Sequence, residues 1–149
     1  LLLLTVPALL NAAVDVVRVW PSYREADSFR RISEYVSGQE NTGREIILRT
    51  QAEPRSGYYF LARVKSDAPA SGTSLVLEVV MPGAPAVRTF TFPADFRAGD
   101  QVYQLGVTGT DWPGKDTRPA AWRLTARGAD GTTLAELASF LWSAPAAAR

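Results

Sequence analysis

The 149-residue sequence contains no cysteine and no histidine. Without cysteine, the chain has no disulfide, no thiol nucleophile and no thiolate metal site. Without histidine, it also lacks Ser-His-Asp and Cys-His catalysis, ordinary zinc sites and histidine-ligated haem, because each needs a group that titrates near neutrality or a soft donor. Many classes of enzyme are therefore excluded before any motif is considered.

An excess of charge of one sign is missing as well. Sixteen basic and fifteen acidic residues give a net charge of +1, and they are scattered along the chain. A nucleic-acid footprint normally needs a basic cluster or stripe, so we expect no nucleic-acid partner. The glycines form neither a Walker A motif nor a dinucleotide fingerprint. We expect no cofactor.

The overall composition is that of a folded domain. Hydrophobic residues make up 46% of the chain and charged residues 21%, which are ordinary values for a globular protein with a packed core. The length fits one domain. We predict a single domain over residues 14–143, preceded by an apolar segment at residues 1–13 and followed by an alanine-rich tail at residues 144–149.

The apolar segment at residues 1–13 is rich in leucine and ends in Ala12 and Ala13. An apolar run followed by small residues resembles the later part of a secretory signal peptide. The run is too short to span a bilayer by itself. A buried first strand or short helix is one alternative, and an uncleaved anchor is another. We expect an exported protein, periplasmic or extracellular, and leave membrane association through this segment open.

The strongest local pattern is a hairpin near the end of the chain. Apolar Trp122, Leu124 and Ala126 alternate with polar residues, as a half-buried strand requires. Residues 128–131 contain two glycines suited to a tight reversal, and residues 134–142 resume as a second extended run.

Similar stretches occur along the rest of the chain. Six further strands are predicted, at residues 14–20, 45–51, 57–65, 73–81, 87–92 and 101–108. One short helix is predicted at about residues 23–37, where apolar residues have helical spacing before Gly38. About seven or eight short antiparallel strands with turns between them resemble the immunoglobulin and fibronectin type of β-sandwich, an all-β fold that implies no function.

The loop at residues 109–119 is the best candidate for chemistry. It places Trp112 beside Asp111, with Asp116 and Arg118 nearby, in a stretch where a large ring is expected to be at least partly exposed. Such a ring could stack on a sugar or anchor a protein interface. The alternative is that Trp112 folds back onto the open end of the sandwich.

The carboxylates of this loop allow two weaker readings. Asp111 and Asp116 could ligate calcium with nearby carbonyl oxygens, but their spacing matches no established calcium loop, so we expect no metal site. Paired carboxylates could also hydrolyse a glycosidic bond if they faced each other. Nothing in the sequence indicates a pocket for them, so a hydrolase is the weakest hypothesis and we expect no enzyme.

The strand at residues 73–81 has an unusual second face. Leu75, Leu77, Val79 and Met81 form one face, yet Val76 and Val80 make the opposite face apolar too. Such a strand is either central and covered on both faces, or it meets a partner. Leu137 and Leu141 indicate a similar apolar second face on the last predicted strand.

Together these patterns favour a non-catalytic, exported β-sandwich. We expect a binding or accessory structural subunit of an envelope, membrane-associated or extracellular assembly, whose partner is another protein or a second copy of the chain. The alternative is a carbohydrate-binding module that uses Trp112 and neighbouring aromatic residues on a polysaccharide.

Overall fold

The computed structural model describes residues 12–29 and 46–143. These residues form two four-stranded sheets, ordered β1-β3-β6-β2 and β5-β4-β7-β8. The strands are β1 (Val14–Arg24), β2 (Ile46–Arg49), β3 (Gly57–Ser66), β4 (Ser74–Met81), β5 (Ala84–Pro93), β6 (Gly99–Thr108), β7 (Ala121–Arg127) and β8 (Thr133–Ala138). Short 3-10 turns lie at Ala26–Phe29 and Gly109–Asp111, and one helix, α1, covers Phe140–Ser143.

One hydrophobic core lies between the two sheets. Side chains alternate between the two faces of each strand, so every second residue of a strand points into this core. Phe60 of β3 is fully buried in the same cluster as Leu75 and Leu77 of β4. The Phe60 ring meets the edge of the Trp122 ring across the core, with centroids 6.1 Å apart. The prediction of an all-β, sandwich-like fold is confirmed in the described part of the chain.

The prediction that all strands are antiparallel is wrong for β2. Ile46 lies opposite Tyr103 and Arg49 opposite Gly106, so β2 runs parallel to β6. The remaining pairs are antiparallel. Alternation along a strand shows which side chains are buried but carries no information on the direction of the neighbouring strand.

The predicted helix at residues 23–37 is wrong at its start. Tyr23 and Arg24 continue β1, and only Ala26–Phe29 form a turn of 3-10 helix. Residues 30–37 lie outside the described residues. We had expected β1 to stop at Pro21, but β1 is the outermost strand of its sheet, where a missing N–H need not break a ladder.

The final strand is shorter than predicted. It ends at Ala138, and residues 140–142 belong to α1 rather than to the hairpin. Three large apolar residues in a row, Phe140, Leu141 and Trp142, break the alternation that a strand on one core needs. Leu137 packs against the core, so it is not part of a second apolar face.

The apolar leader predicted at the start of the chain falls almost entirely on residues 1–11, outside the described residues, as does the tail at residues 144–149. Within the described ranges, no helix has both the length and the apolar character needed to cross a membrane.

Candidate functional site

One end of the sandwich gathers most of the features that the sequence analysis singled out. In the first sheet, Gly57 at the start of β3 lies between the last residues of β1 and β6, Arg24 and Thr108. In the second sheet, Val80 near the end of β4 lies opposite Ala121 at the start of β7. The loop between β6 and β7, the turn between β4 and β5, and α1 all lie at this end, which we call the loop end.

Trp112 is buried at the loop end, only 5% exposed. Its ring stacks on Tyr58, and its indole N–H donates a hydrogen bond to the carbonyl oxygen of Thr117 at 3.2 Å. The expectation of a partly exposed ring is therefore wrong, and the ring folds back onto the sandwich. Burial raises the pKa of the Tyr58 phenol, although the positive charge of Arg118 acts in the opposite direction.

The charged residues of the same loop do not form a compact site. Asp111 is half-buried in the 3-10 turn, whereas Asp116 and Arg118 are exposed. Arg118 is close enough to Tyr58 to influence the pKa of its phenol. Among the residues that the structure describes, no group of three or more acidic side chains could hold a metal ion.

Val76 and Val80 differ in their surroundings. Val76 is 4% exposed and lies between Thr91 of β5 and Thr125 of β7. Val76 therefore lies on a central strand of the second sheet and is buried there. Val80 is half-buried, at the loop end of the same face.

The turn that follows Val80 is a feature that the sequence analysis overlooked. No residue from Val79 to Val87 carries a charged or hydrogen-bonding side chain, and every residue from 82 to 87 is exposed. Pro82 and Gly83 connect β4 to β5, and Gly83 has a φ of 73°, as the third residue of a type II turn requires. The absence of charge over this stretch was the signal that could have identified it.

Helix α1 adds to this surface from the neighbouring strands. Trp142 packs against the Arg123 guanidinium, whose carbon lies 5.0 Å from a ring centroid. Arg123 in turn forms an ion pair with Glu78 at 2.7 Å. Leu141 is 62% exposed. We call Val80, residues 82–87 and Leu141 the apolar end of the second sheet.

A separate aromatic cluster covers the outer face of the first sheet. Tyr59 is fully buried there, and its ring centroid lies 4.6 Å from that of Phe29. The Arg24 guanidinium lies 3.8 Å from the Phe29 centroid, and the Arg49 Nε donates to the Tyr59 hydroxyl at 2.6 Å. The Tyr59 hydroxyl donates to the Arg55 carbonyl at 2.6 Å. These contacts attach the 3-10 turn to the sheet.

The chain was compared with family models, with curated proteins and with solved structures. No family model matches it, and neither the curated proteins nor the solved structures include a significant match.

Proposed function

We propose that this protein is a non-catalytic, exported β-sandwich that serves as a binding or accessory structural subunit of an envelope or extracellular assembly. The observation that carries the proposal is the apolar end of the second sheet. Its exposed residues 82–87 lie beside half-buried Val80, and at the same end of the sheet α1, which packs on β7, exposes Leu141. Exposed apolar surface of this kind is characteristic of an interaction site in a folded domain.

The geometry of this surface suits docking to a protein. The Pro82-Gly83 turn restricts the backbone, so little conformational entropy is lost when the turn is buried. The row across the sheet from Val87 through Val80 to Ala121 carries no charge, so its burial leaves no ionic group without a partner. In the next row on the same face of the sheet, Glu78 and Arg123 form an ion pair with each other.

The finer identity of the fold as an immunoglobulin-like domain is part of the same proposal. It is supported by strand order: β1-β3-β6 and β5-β4-β7-β8 correspond to the A-B-E and C′-C-F-G sheets of that architecture. Strand β2 departs from it, because it precedes β3 in the chain and pairs with β6 in the parallel sense. Domains of this architecture commonly serve as interaction modules, although the fold alone specifies no partner.

The export of the protein rests on the leader-like residues 1–13 and is proposed on that resemblance alone. The carbohydrate-binding alternative receives no support from the geometry. It relied on an exposed Trp112, whereas one face of the ring stacks on Tyr58 and the side chain is buried.

The test is a substitution that places charge on the apolar end without touching the core. Ala84 and Leu141 are both exposed, so Ala84→Asp/Leu141→Asp should fold normally. In extracts of the source cells, the full chain should run on native gels in a complex larger than itself. The double variant should bind its partner at least about tenfold more weakly, because a buried unpaired carboxylate costs more than 1.4 kcal/mol.

Thr133→Asp is the matched control, since Thr133 is exposed at the opposite end of the second sheet. It should leave the complex intact. A complex that tolerates the double variant as well as it tolerates the control would show that the apolar end is not the docking surface. A wild-type chain that runs alone in both soluble and membrane extracts would contradict the proposed function itself.

A further inference from the structure

The four outermost strands of the sandwich differ in how well their free edges are protected. Strand β1 has a bulge between Val16 and Arg18 and contains Pro21, both of which disrupt pairing with another chain. Strand β2 has only four residues and β8 only six. Strand β5 (Ala84–Pro93) has a register shift between Ala84 and Val87, but it pairs regularly with β4 from Val87 to Pro93. Within the described residues no strand pairs with the outer side of this regular part.

The hydrogen bonding of β5 shows which backbone groups point outward. Ala94 donates its N–H to the carbonyl of Thr73 at 3.0 Å, in the same register as the β4–β5 ladder. Antiparallel bonds recur at every second residue, so Phe92, Phe90 and Arg88 also bond to β4. The N–H and C=O groups of the alternate residues face away from the sheet; these residues are Val87, Thr89 and Thr91.

The free stretch is limited at both ends. At one end, Pro93 occupies the next alternate position, where a proline cannot donate outward. At the other end, the register with β4 is interrupted at Pro85 and Ala86, just before Val87. Between these limits the outward groups belong to Val87, Thr89 and Thr91, a pattern that is symmetric about Thr89 and would match its own reverse.

We propose that β5 pairs antiparallel with β5 of a second copy, about a two-fold axis at Thr89, to join the two second sheets into one. Thr89 would then lie opposite Thr89 of the second copy, and Val87 opposite Thr91. Each of the three opposing pairs can exchange two backbone hydrogen bonds, which gives about six in all. The ladder would end on both sides beyond these pairs, where Pro93 of one copy meets the irregular start of β5 in the other.

The side chains of β5 fit this arrangement. Val87, Thr89 and Thr91 are exposed, and none carries a charge of the kind that usually protects an edge. Threonine opposite threonine is a favourable cross-strand pair. On the other face, Arg88 would lie opposite Phe90 of the second copy, beside the Phe90 ring that it already approaches at 5.1 Å. No like charges lie directly opposite each other.

This inference is independent of the proposed function. It uses the backbone edge of β5, whereas the docking proposal uses exposed side chains at the loop end of the same sheet. Val87 belongs to both surfaces, so each proposal is tested at other residues. Substitutions at Thr89 leave Ala84 and Leu141 unchanged. Failure of one proposal therefore does not entail failure of the other.

Single cysteines provide the sharpest test, because the chain has none of its own. In the proposed dimer, the two Thr89 Cα atoms lie about 5.5 Å apart, within disulfide range. The two Thr91 positions lie four residues out of register, or about 13 Å along the strand. Under mild oxidation of the full chain, Thr89→Cys should form a disulfide-linked dimer and Thr91→Cys should not. Equal cross-linking of the two variants, or none in either, would overturn the proposal.

A charge-pairing experiment tests the same axis without oxidation. Wild-type protein should show a concentration-dependent dimer by sedimentation, while Thr89→Lys and Thr89→Glu should each remain monomeric because like charges would meet at the axis. An equimolar mixture of the two variants should dimerise again. If the wild type stays monomeric, or if the mixture behaves like its separate components, β5 does not pair with itself.

Discussion

The ring of Trp112 stacks on the ring of Tyr58, with centroids 4.6 Å apart and planes 27° from parallel. This pair connects the loop between β6 and β7 to the first residues of β3. The loop is therefore anchored from inside the sandwich, by a residue that the sequence allowed to be either a ligand-binding ring or part of the core.

Replacement of Trp112 by alanine should destabilise the domain. The ring is buried and the surrounding loop can close the gap only in part, so we expect Trp112→Ala to lower the free energy of unfolding by about 3–5 kcal/mol. Urea denaturation measures this directly. Lys115 is exposed in the same loop, and Lys115→Ala should change the free energy of unfolding by less than about 0.5 kcal/mol. A Trp112→Ala variant as stable as wild type would mean that the ring is not part of the core.

Gly106 should resist even the smallest side chain. A Cβ atom at this position would lie 2.5 Å from Cε1 of Tyr59, whose ring covers the glycine on the outer face of the first sheet. We expect Gly106→Ala to cost about 1–3 kcal/mol of stability, because the ring must move and strain its hydrogen bonds. The cost should shrink when Tyr59→Leu is also present, as a double-mutant cycle would reveal.

The control for this experiment is Gly114→Ala. No atom lies within 4 Å of a Cβ placed at Gly114, so this substitution should be neutral or slightly stabilising. Equal effects at the two glycines would show that the Tyr59 ring is not the cause.

Alkaline pH should weaken the domain through Tyr103. Burial raises the pKa of its phenol above the ordinary value of about 10, with Arg97 opposing the rise and Asp95 adding to it. The unfolded chain therefore loses this proton first. The stabilisation is complete below about pH 10 and falls as the pH rises towards the pKa of the folded state.

Comparison with Tyr103→Phe isolates this effect. At neutral pH the variant should be less stable by about 1 kcal/mol, since it loses the phenol O–H that lies within hydrogen-bond distance of both the Asp95 carbonyl and the Gln101 side-chain oxygen. Above about pH 10 the difference in the free energy of unfolding should narrow. A difference that stays constant as the pH rises would contradict the raised pKa.

Alternation along the sequence was enough to predict most strands and their buried faces. In β3, for example, Tyr58 and Phe60 face the core as their spacing indicates. It could not predict that Tyr59, on the other face, is equally buried. That burial depends on Phe29 and Gly106, which come from distant parts of the chain.

The candidate site was predictable only in part, for a similar reason. Trp112 was singled out as important, but its partner Tyr58 is distant in sequence, so nothing local distinguished a buried ring from an exposed one. Residues 82–86 lay between two predicted strands, the second of which began at Val87. Their exposure could not be predicted, because it depends on what the rest of the chain packs beside them. Val80 was identified correctly as an apolar residue on the second face of β4.

The parallel pairing of β2 with β6 also affects how the chain can be assembled during synthesis. Ile46 and its neighbours leave the ribosome well before Tyr103, their first backbone partner in the described structure. Throughout that interval, β2 has no ladder to join, while the turn from β4 to β5 can already close. All four strands of the first sheet are therefore available once Thr108 has been synthesised, whereas at that point the second sheet holds only the β4–β5 hairpin and still lacks β7 and β8.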